Sequence, residues 1–172
     1  MVEWVFYPRS EEPPGLVHEI VKVFENADSK ISSPDHTLSS NETLAHLRAG
    51  LEALNFKVER GKKSSEKLTV PVLFGRNGRV QKAFDADAFH ETDGFVLEIE
   101  AGRAVSNNQF LKDLFQACLM VGTEYLGIAV RRIYVAGGAT GKDFEAVVTF
   151  IDTLYSSNRL RLPLKGVLII GY

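Results

Sequence analysis

Several features are scarce or missing in this sequence of 172 residues. Cys118 is the only cysteine, which excludes an internal disulfide and a cysteine zinc cluster. No apolar run approaches the ~20 residues of a membrane-spanning helix. The first nine residues also lack the charged-then-apolar pattern of a signal peptide. These absences favour a cytoplasmic protein in a reducing environment that has no membrane partner.

Strong net charge is also missing, because the chain carries only −2 at pH 7. This value argues against a generic nucleic-acid coat. Residues 57–82, however, contain eight basic and two acidic residues, so this segment is +6 and the remainder is −8. A basic stretch in an acidic protein is typical of a phosphate-binding face, with Lys62 and Lys63 as candidate nucleic-acid contacts. The alternative is a solvated loop and strand edge.

Hydrophobic periodicity predicts an α/β protein. The composition, 45% hydrophobic and 24% charged, excludes global disorder, and the length fits one domain. The expected elements, in chain order, are a short strand at 3–7, helices from 16 and at about 39–55, strands at 56–59 and 70–74, a hairpin with arms at about 83–91 and 94–101, a helix at 107–122, a strand at 125–130, a helix at 143–155 and a strand at 166–172. The last two strands are continuous apolar runs, which are typical of strands covered by helices on both faces. We therefore expect a three-layer α/β/α sandwich around a central mixed sheet.

The hairpin is unusually acidic. Because strand side chains alternate, Asp85 and Asp87 share one face, and so do Glu98 and Glu100. With Thr92 and Asp93 at the centre of the turn, Asp87 lies opposite Glu98; with Asp93 and Gly94 there, it lies opposite Glu100. Either register puts all four carboxylates on one face, where like charges repel. A divalent cation such as Mg²⁺ is one explanation, and an exposed face neutralised by Lys82 or Arg103 is the other.

These residues resemble the PD-(D/E)XK nuclease superfamily, which includes many type II restriction endonucleases. In that pattern an acid on one strand is followed, after a variable gap, by Glu-x-Lys on the next. Asp87, or alternatively Asp85, and then Glu98-Ile99-Glu100 occupy these positions here. The order of helix, strands, helix and strand over residues 39–130 also matches. Two features depart from the pattern: Glu100 replaces the usual lysine, and the proline before the aspartate is missing.

The resemblance implies a restriction-endonuclease-like fold and Mg²⁺-dependent hydrolysis of DNA, with Mn²⁺ able to substitute. It makes residues 1–38 an N-terminal arm and helix, 39–130 the core and 131–172 a C-terminal helix and strand of one domain. Asp87, Glu98 and the carbonyl of Ile99 would bind the ion, and Glu100 would be a second-metal ligand or general base. Glu42 matches a position where some members supply another acid, although Ser39 and Glu42 also fit a helix capping box.

Further candidates have a structural alternative beside the functional one. Arg103 is placed to hold a phosphate or to neutralise the acidic face. Ser106 or Asn107 would cap the following helix, whose N-terminus is a second candidate phosphate site. His90 falls on the strand face opposite Asp87, which indicates a structural role. Cys118 falls on one broad apolar face of the helix at 107–122, with Phe110, Leu111, Leu114, Phe115 and Leu119, which indicates a place in the core.

Three functions remain open. The first is a DNA nuclease, which by analogy would act as a homodimer because two-fold symmetry suits cutting both strands. The second is a non-catalytic nucleic-acid- or protein-binding module on the same fold. The third is an unrelated α/β domain whose acidic hairpin is surface decoration.

Overall fold

A computed structural model describes residues 1–102, 104–136 and 139–172. The helices are α1 (Gly15–Ile31), α2 (Ser40–Ala53), α3 (Gln109–Leu119) and α4 (Asp143–Ser157). The strands are β1 (Glu3–Tyr7), β2 (Lys57–Val58), β3 (Leu68–Phe74), β4 (Val80–Ala86), β5 (Ala88–His90), β6 (Phe95–Glu100), β7 (Tyr125–Val130), β8 (Tyr134–Ala136), β9 (Ala139–Gly141) and β10 (Gly166–Gly171).

The centre of the molecule is a six-stranded mixed sheet with the order β1-β10-β7-β6-β5-β2. Strands β6, β7 and β10 are parallel and form its middle, whereas β1 pairs antiparallel at one edge and β5 and β2 at the other. Strands β3 and β4 form a separate two-stranded ribbon, and β8 and β9 form another. The predicted mixed sheet is confirmed.

Helices cover both faces of this sheet, as a three-layer sandwich requires. Phe95, Leu97 and Ile99 of β6 point into the core beneath α1 and α2. Val96, between them, points into the second core, beneath α3 and α4. Because side chains alternate along a strand, Glu98 and Glu100 follow Val96 onto the α3 face.

Helix α2 begins as its sequence predicts. The Ser39 side chain accepts a hydrogen bond from the backbone N–H of Glu42, at 3.3 Å, and the Glu42 carboxylate accepts one from the backbone N–H of Ser39, at 2.8 Å. This reciprocal pair satisfies two N–H groups that the helix leaves without partners. The capping-box interpretation is confirmed.

The predicted acidic hairpin is correct in its second arm but wrong in its first. Within the first arm, only the short strand β5 pairs with β6, with Ala88 opposite Leu97, which is the register centred on Thr92 and Asp93. The chain bends at Asp87, and β4 then pairs with β3 instead of continuing along β6. At this bend the Asp87 carboxylate accepts the backbone N–H of Ile99, on the neighbouring strand β6, at 2.7 Å.

Helix α3 is shorter than expected, beginning at Gln109 and ending at Leu119. Its N-cap is Asn108, in a left-handed conformation and without a side-chain capping bond, so the prediction of Ser106 or Asn107 as the cap is wrong. The predicted apolar face is too broad, because Phe115 and Leu119 are exposed. Among the described residues, no helix combines the length and apolar character needed to cross a membrane.

Candidate functional site: a carboxylate cleft

A cleft of about 710 Å³ opens where β6, the bend at Asp87, the ribbon and α3 meet. Six carboxylates line it: Glu59, Asp85, Asp87, Glu98, Glu100 and Asp113. Four of them, all except Glu59 and Asp85, form what we call the carboxylate cluster. Glu98 and Asp113 are its most buried members, with 9% and 4% of their surface exposed. The alternation along β6 therefore brings the predicted acids together, and α3 adds Asp113.

Asp87 and Glu98 hold each other in place through the backbone. The Asp87 carboxylate accepts the N–H of Ile99, and the Glu98 carboxylate accepts the backbone N–H of Asp87. These two bonds replace part of the strand ladder at the point where β4 leaves the sheet. The bend that exposes the Asp87 side chain to the cleft is thus fixed by the same residues that line it.

Glu100 and Asp113 form the second half of the cluster. Their carboxyl groups lie close enough to interact, and burial and then the Asp113 carboxylate raise the pKa of Glu100. Gln109, one turn earlier on α3, donates its Nε2 to Asp113 Oδ1 at 3.4 Å. The other oxygen, Oδ2, is buried and has no hydrogen-bond donor among the described residues. A buried carboxylate oxygen without a partner is destabilising, so this atom is suited to an added cation or proton.

The electrostatics of the cluster favour protonation. Burial raises the pKa of Asp87 to about 7, against the stabilising N–H of Ile99. Burial and then the Asp113 charge raise the pKa of Glu100 to about 8. The pKa of Glu98 is raised well above its usual range by burial, and the neighbouring charges of Asp87 and Asp113 add to this. Removal from water and mutual repulsion therefore both raise the pKa values of these carboxyl groups, and a bound dication would lower them again.

The donor chemistry fits a hard divalent ion, since every candidate ligand is an oxygen. No group of three Asp, Glu, His or Cys side chains in the described parts of the chain is arranged to hold a metal ion. The reason is visible in the contacts, because Asp87 is turned toward the Ile99 N–H and Glu100 toward Asp113. Mg²⁺ commonly needs only one or two carboxylates, with water and substrate phosphate completing its octahedron. The cluster is therefore compatible with Mg²⁺ without a closed three-carboxylate site.

Four lysines, which we call the cationic rim, line the same cleft as the acids. They are Lys62, Lys67, Lys82 and Lys112. Lys67 forms an ion pair with Asp85, the alternative acid of the sequence motif. Asp87 is therefore the motif acid that belongs to the cluster. Lys82 lies over the ring of Phe84, 5.2 Å from its centroid. A cleft that combines largely buried acids with exposed lysines suits a polyanionic ligand: the lysines attract its phosphates, and the acids hold a cation beside one of them.

Other predicted site residues lie elsewhere. Glu42 is exposed, belongs to the capping box and is not among the residues that line the cleft. Lys63 and Asn107 are exposed and also lie off the cleft lining, whereas Lys62 lies on it. Arg103 lies outside the described residues. Lys82, the other cation considered for the acidic face, does line the cleft.

Asp113 is the site residue that the sequence interpretation missed. It lies on the buried stripe of α3, whose other members are Phe110, Leu114 and Ala117. An aspartate at an apolar position of an amphipathic helix is a recognisable signal, because burial of a charge needs a compensating role. His90 is buried against Phe56, with ring centroids 5.1 Å apart, and accepts the N–H of Asp93, in agreement with a structural role.

Two solved structures of a restriction endonuclease are similar to this fold. The crystal structure of restriction endonuclease BglII complexed with a DNA 16-mer is similar, with a TM-score of 0.57 and 14% sequence identity over 99% of this chain and 75% of that one. Free BglII is similar with a TM-score of 0.52 and 12% identity, over 99% of this chain and 78% of that one. The fold is restriction-endonuclease-like. No family model matches the sequence, and no curated protein matches it significantly. At such low identity the likeness establishes the fold alone.

Proposed function

We propose that this protein is a divalent-metal-dependent nuclease that hydrolyses DNA phosphodiester bonds, as a type II restriction endonuclease does. The observation that carries the proposal is the carboxylate cluster, because four acids are held beneath a lysine rim in one cleft. The fold adds support, since the similar structure of BglII is a complex with DNA. Mutual repulsion makes such a cluster unfavourable in itself, so a cationic ligand is its simplest physical explanation.

The residues divide the work as follows. Asp87, Glu98 and the backbone carbonyl of Ile99 would hold Mg²⁺, or Mn²⁺ in its place. The bound ion would polarise the phosphodiester and lower the pKa of a water molecule. The rim lysines would hold the flanking phosphates of the DNA and position the scissile one over the cluster. Glu59, beside Asp87, keeps negative charge near the cluster and so helps retain the cation.

Glu100 has a role different from that of the lysine it replaces. A lysine would stabilise negative charge at the reacting phosphate, which a carboxylate cannot do. Glu100, paired with Asp113, is placed to accept a proton from the attacking water or to serve as a second-metal ligand. The raised pKa of Glu100 suits a group that accepts a proton near neutral pH, and a cation bound at Asp87 and Glu98 would favour its ionised form.

The experiment is a plasmid cleavage assay with Mg²⁺ and with Mn²⁺. We expect the wild type to nick or linearise supercoiled DNA and Glu98→Gln to lose activity by more than about 100-fold, because the ion loses a ligand. Glu91→Gln is the matched control, since Glu91 is an exposed acid on the same hairpin and does not line the cleft. Equal activity of wild type and Glu98→Gln would contradict the proposal.

A second candidate is a non-catalytic DNA-binding module on the same fold. Glu100 in the lysine position is the specific observation that favours it. This function predicts metal-independent DNA binding by the wild type, with no cleavage of any of several DNA substrates. The same assay therefore separates the two functions.

Oligomeric state remains a prediction. We propose a homodimer on the analogy of two-strand cutting. Exposed apolar side chains on the outer side of α3, Phe115 and Leu119, are consistent with a contact surface. Sedimentation at several protein concentrations tests it.

A further inference from the structure

The β3–β4 ribbon extends beyond the sheet at the edge of the cleft. Its base is anchored, because Val70 and Ala86 are buried in the core beneath α3. Beyond Val72 the ribbon leaves the core: residues 73, 74 and 76–82 are all exposed. Ala83 and Phe84, where the ribbon returns to the body, line the cleft. Anything that fills the cleft therefore lies alongside this ribbon.

The tip of the ribbon is an ordered turn. The N–H of Gly75 donates to the carbonyl of Arg79 at 2.8 Å, and the N–H of Gly78 donates to the carbonyl of Gly75 at 3.2 Å. Asn77 and Gly78 both have a positive φ, of 58° and 68°, which suits asparagine and glycine at a tight turn. The turn thus presents Arg76 and Arg79 from a fixed backbone.

The chemistry of the tip is cationic and apolar together. Residues 75–82 contain three bases, Arg76, Arg79 and Lys82, and no acid. Among the described residues, neither arginine has an ion pair or a side-chain hydrogen bond. Leu73, Phe74 and Val80 flank them with 54%, 49% and 53% of their surface exposed. Exposed apolar side chains beside uncompensated arginines indicate a partner that is both anionic and partly apolar.

A DNA duplex has this combination in its major groove. The groove is about 12 Å wide and admits a two-stranded ribbon, whose strands lie about 4.8 Å apart. Guanine presents two acceptors there, O6 and N7, which match the paired donors of arginine, and thymine presents a methyl group. An acidic protein partner would also satisfy the arginines, but it would not supply the phosphate that completes the coordination of Mg²⁺ at the neighbouring carboxylate cluster.

We propose that the tip of the β3–β4 ribbon enters the major groove of the duplex held in the cleft, where Arg76 and Arg79 contact guanine edges and Phe74 contacts a thymine methyl. This inference rests on the proposed DNA-binding function and adds to it a specificity-determining element. It also assigns different tasks to the two groups of cations: the rim lysines hold phosphates, and the tip arginines distinguish bases.

The first test is selection from a random duplex library, with Ca²⁺ in place of Mg²⁺ to prevent cleavage. The full-length wild type is expected to select a consensus containing guanine. Arg76→Ala/Arg79→Ala is expected to lose preference at those guanines and to bind the selected duplex about 10- to 100-fold more weakly. The matched control is Arg159→Ala/Arg161→Ala, which removes the same charge from exposed positions away from the cleft.

The second test uses chemically altered DNA. Replacing guanine by 7-deazaguanine in the selected duplex removes the N7 acceptor from the major groove only. This replacement should weaken binding by the wild type and by the control, and leave binding by Arg76→Ala/Arg79→Ala unchanged. Uracil in place of thymine should weaken DNA binding by the wild type and leave binding by Phe74→Ala unchanged.

The outcomes separate the inference from the function on which it rests. If the wild type binds no DNA, the proposed function fails. If it binds DNA but selects no consensus, or if Arg76→Ala/Arg79→Ala selects the same consensus, the ribbon does not read bases. If the double variant weakens binding to every sequence equally and lowers the salt dependence, the arginines contact phosphates and base reading is again overturned.

Discussion

Acidic side chains in the carboxylate cluster are withdrawn from water, whereas the arginines at the ribbon tip are exposed to it. The two regions lie close together in sequence, since only seven positions separate Arg79 from Asp87. Burial raises the pKa of the acids and leaves one carboxylate oxygen, Asp113 Oδ2, without a partner. The exposed arginines carry no such penalty. The folded chain therefore loses stability to hold the cluster and almost none to present the tip.

The largest expected effect of breaking this contrast is at Asp113. Asp113→Asn keeps the shape of the side chain and removes its charge, so the charge interaction with Glu100 is lost. We expect cleavage to fall by about 10- to 100-fold, while the metal-free protein becomes more thermostable because repulsion decreases. Cleavage rates and thermal melts in EDTA measure both. Unchanged cleavage would remove Asp113 from the site. Asp152→Asn, at a half-buried aspartate that pairs with Arg9 away from the cleft, is the control.

The pH dependence of stability sharpens the contrast next. The pKa values of Asp87 and Glu100, about 7 and about 8, exceed those of the unfolded chain, so the folded protein binds more protons between about pH 4 and 8. Stability of the metal-free protein should therefore fall as pH rises through this range, by a few kcal/mol. Urea melts in EDTA at pH 5 and pH 8 measure the change.

Added Mg²⁺ provides the control for that result. Because the cation binds the ionised carboxylates, it should restore stability at pH 8 and have little effect at pH 5. A metal-free protein that gains stability as pH rises from 5 to 8 would contradict the assigned direction of these pKa values.

A smaller effect on stability is expected at Glu42. The effect of its substitution distinguishes a helix-capping role from a role in the candidate site. Glu42→Gln keeps a side-chain acceptor for the Ser39 N–H but removes the charge near the start of α2. Stability should fall by about 0.3–1 kcal/mol, and cleavage should not change. Denaturant titration and the plasmid assay test the two parts, and a large loss of cleavage at unchanged stability would return Glu42 to the site.

The smallest effect on stability is expected at the ribbon tip. Arg76→Ala/Arg79→Ala should leave the free energy of unfolding within about 0.5 kcal/mol of the wild type, because neither side chain packs against the body. The same variant is the one expected to lose base preference. A destabilisation above about 2 kcal/mol would show that the tip supports the fold, which contradicts its assignment as a binding element alone.

Much of the fold follows from local sequence signals. Apolar runs such as residues 125–130 predicted buried strands, and the Ser39 and Glu42 pair predicted the start of α2, because each depends on nearby residues. The break after Ala86 was not predictable in this way. It depends on a side chain, Asp87, taking a backbone partner from another strand, Ile99, and alternation alone does not reveal such an exchange.

Part of the candidate site could likewise be predicted from sequence, because it depends on a local signal. Strand alternation placed Glu98 and Glu100 on one face, since both lie on a single strand. Asp113 reaches them only because α3 packs on that face of the sheet, which is a tertiary relation. Its position on the buried stripe of α3 was the available signal, and reading the helix as broadly apolar concealed it.

The central claim is that the carboxylate cluster binds a divalent cation. Isothermal titration of Mg²⁺ and of Mn²⁺ into the wild type, Glu98→Ala and the control Glu91→Ala tests it most directly. We predict binding heat for the wild type and the control that disappears in Glu98→Ala. Equal binding by all three proteins would contradict the claim, because the ion would then lie outside the cluster.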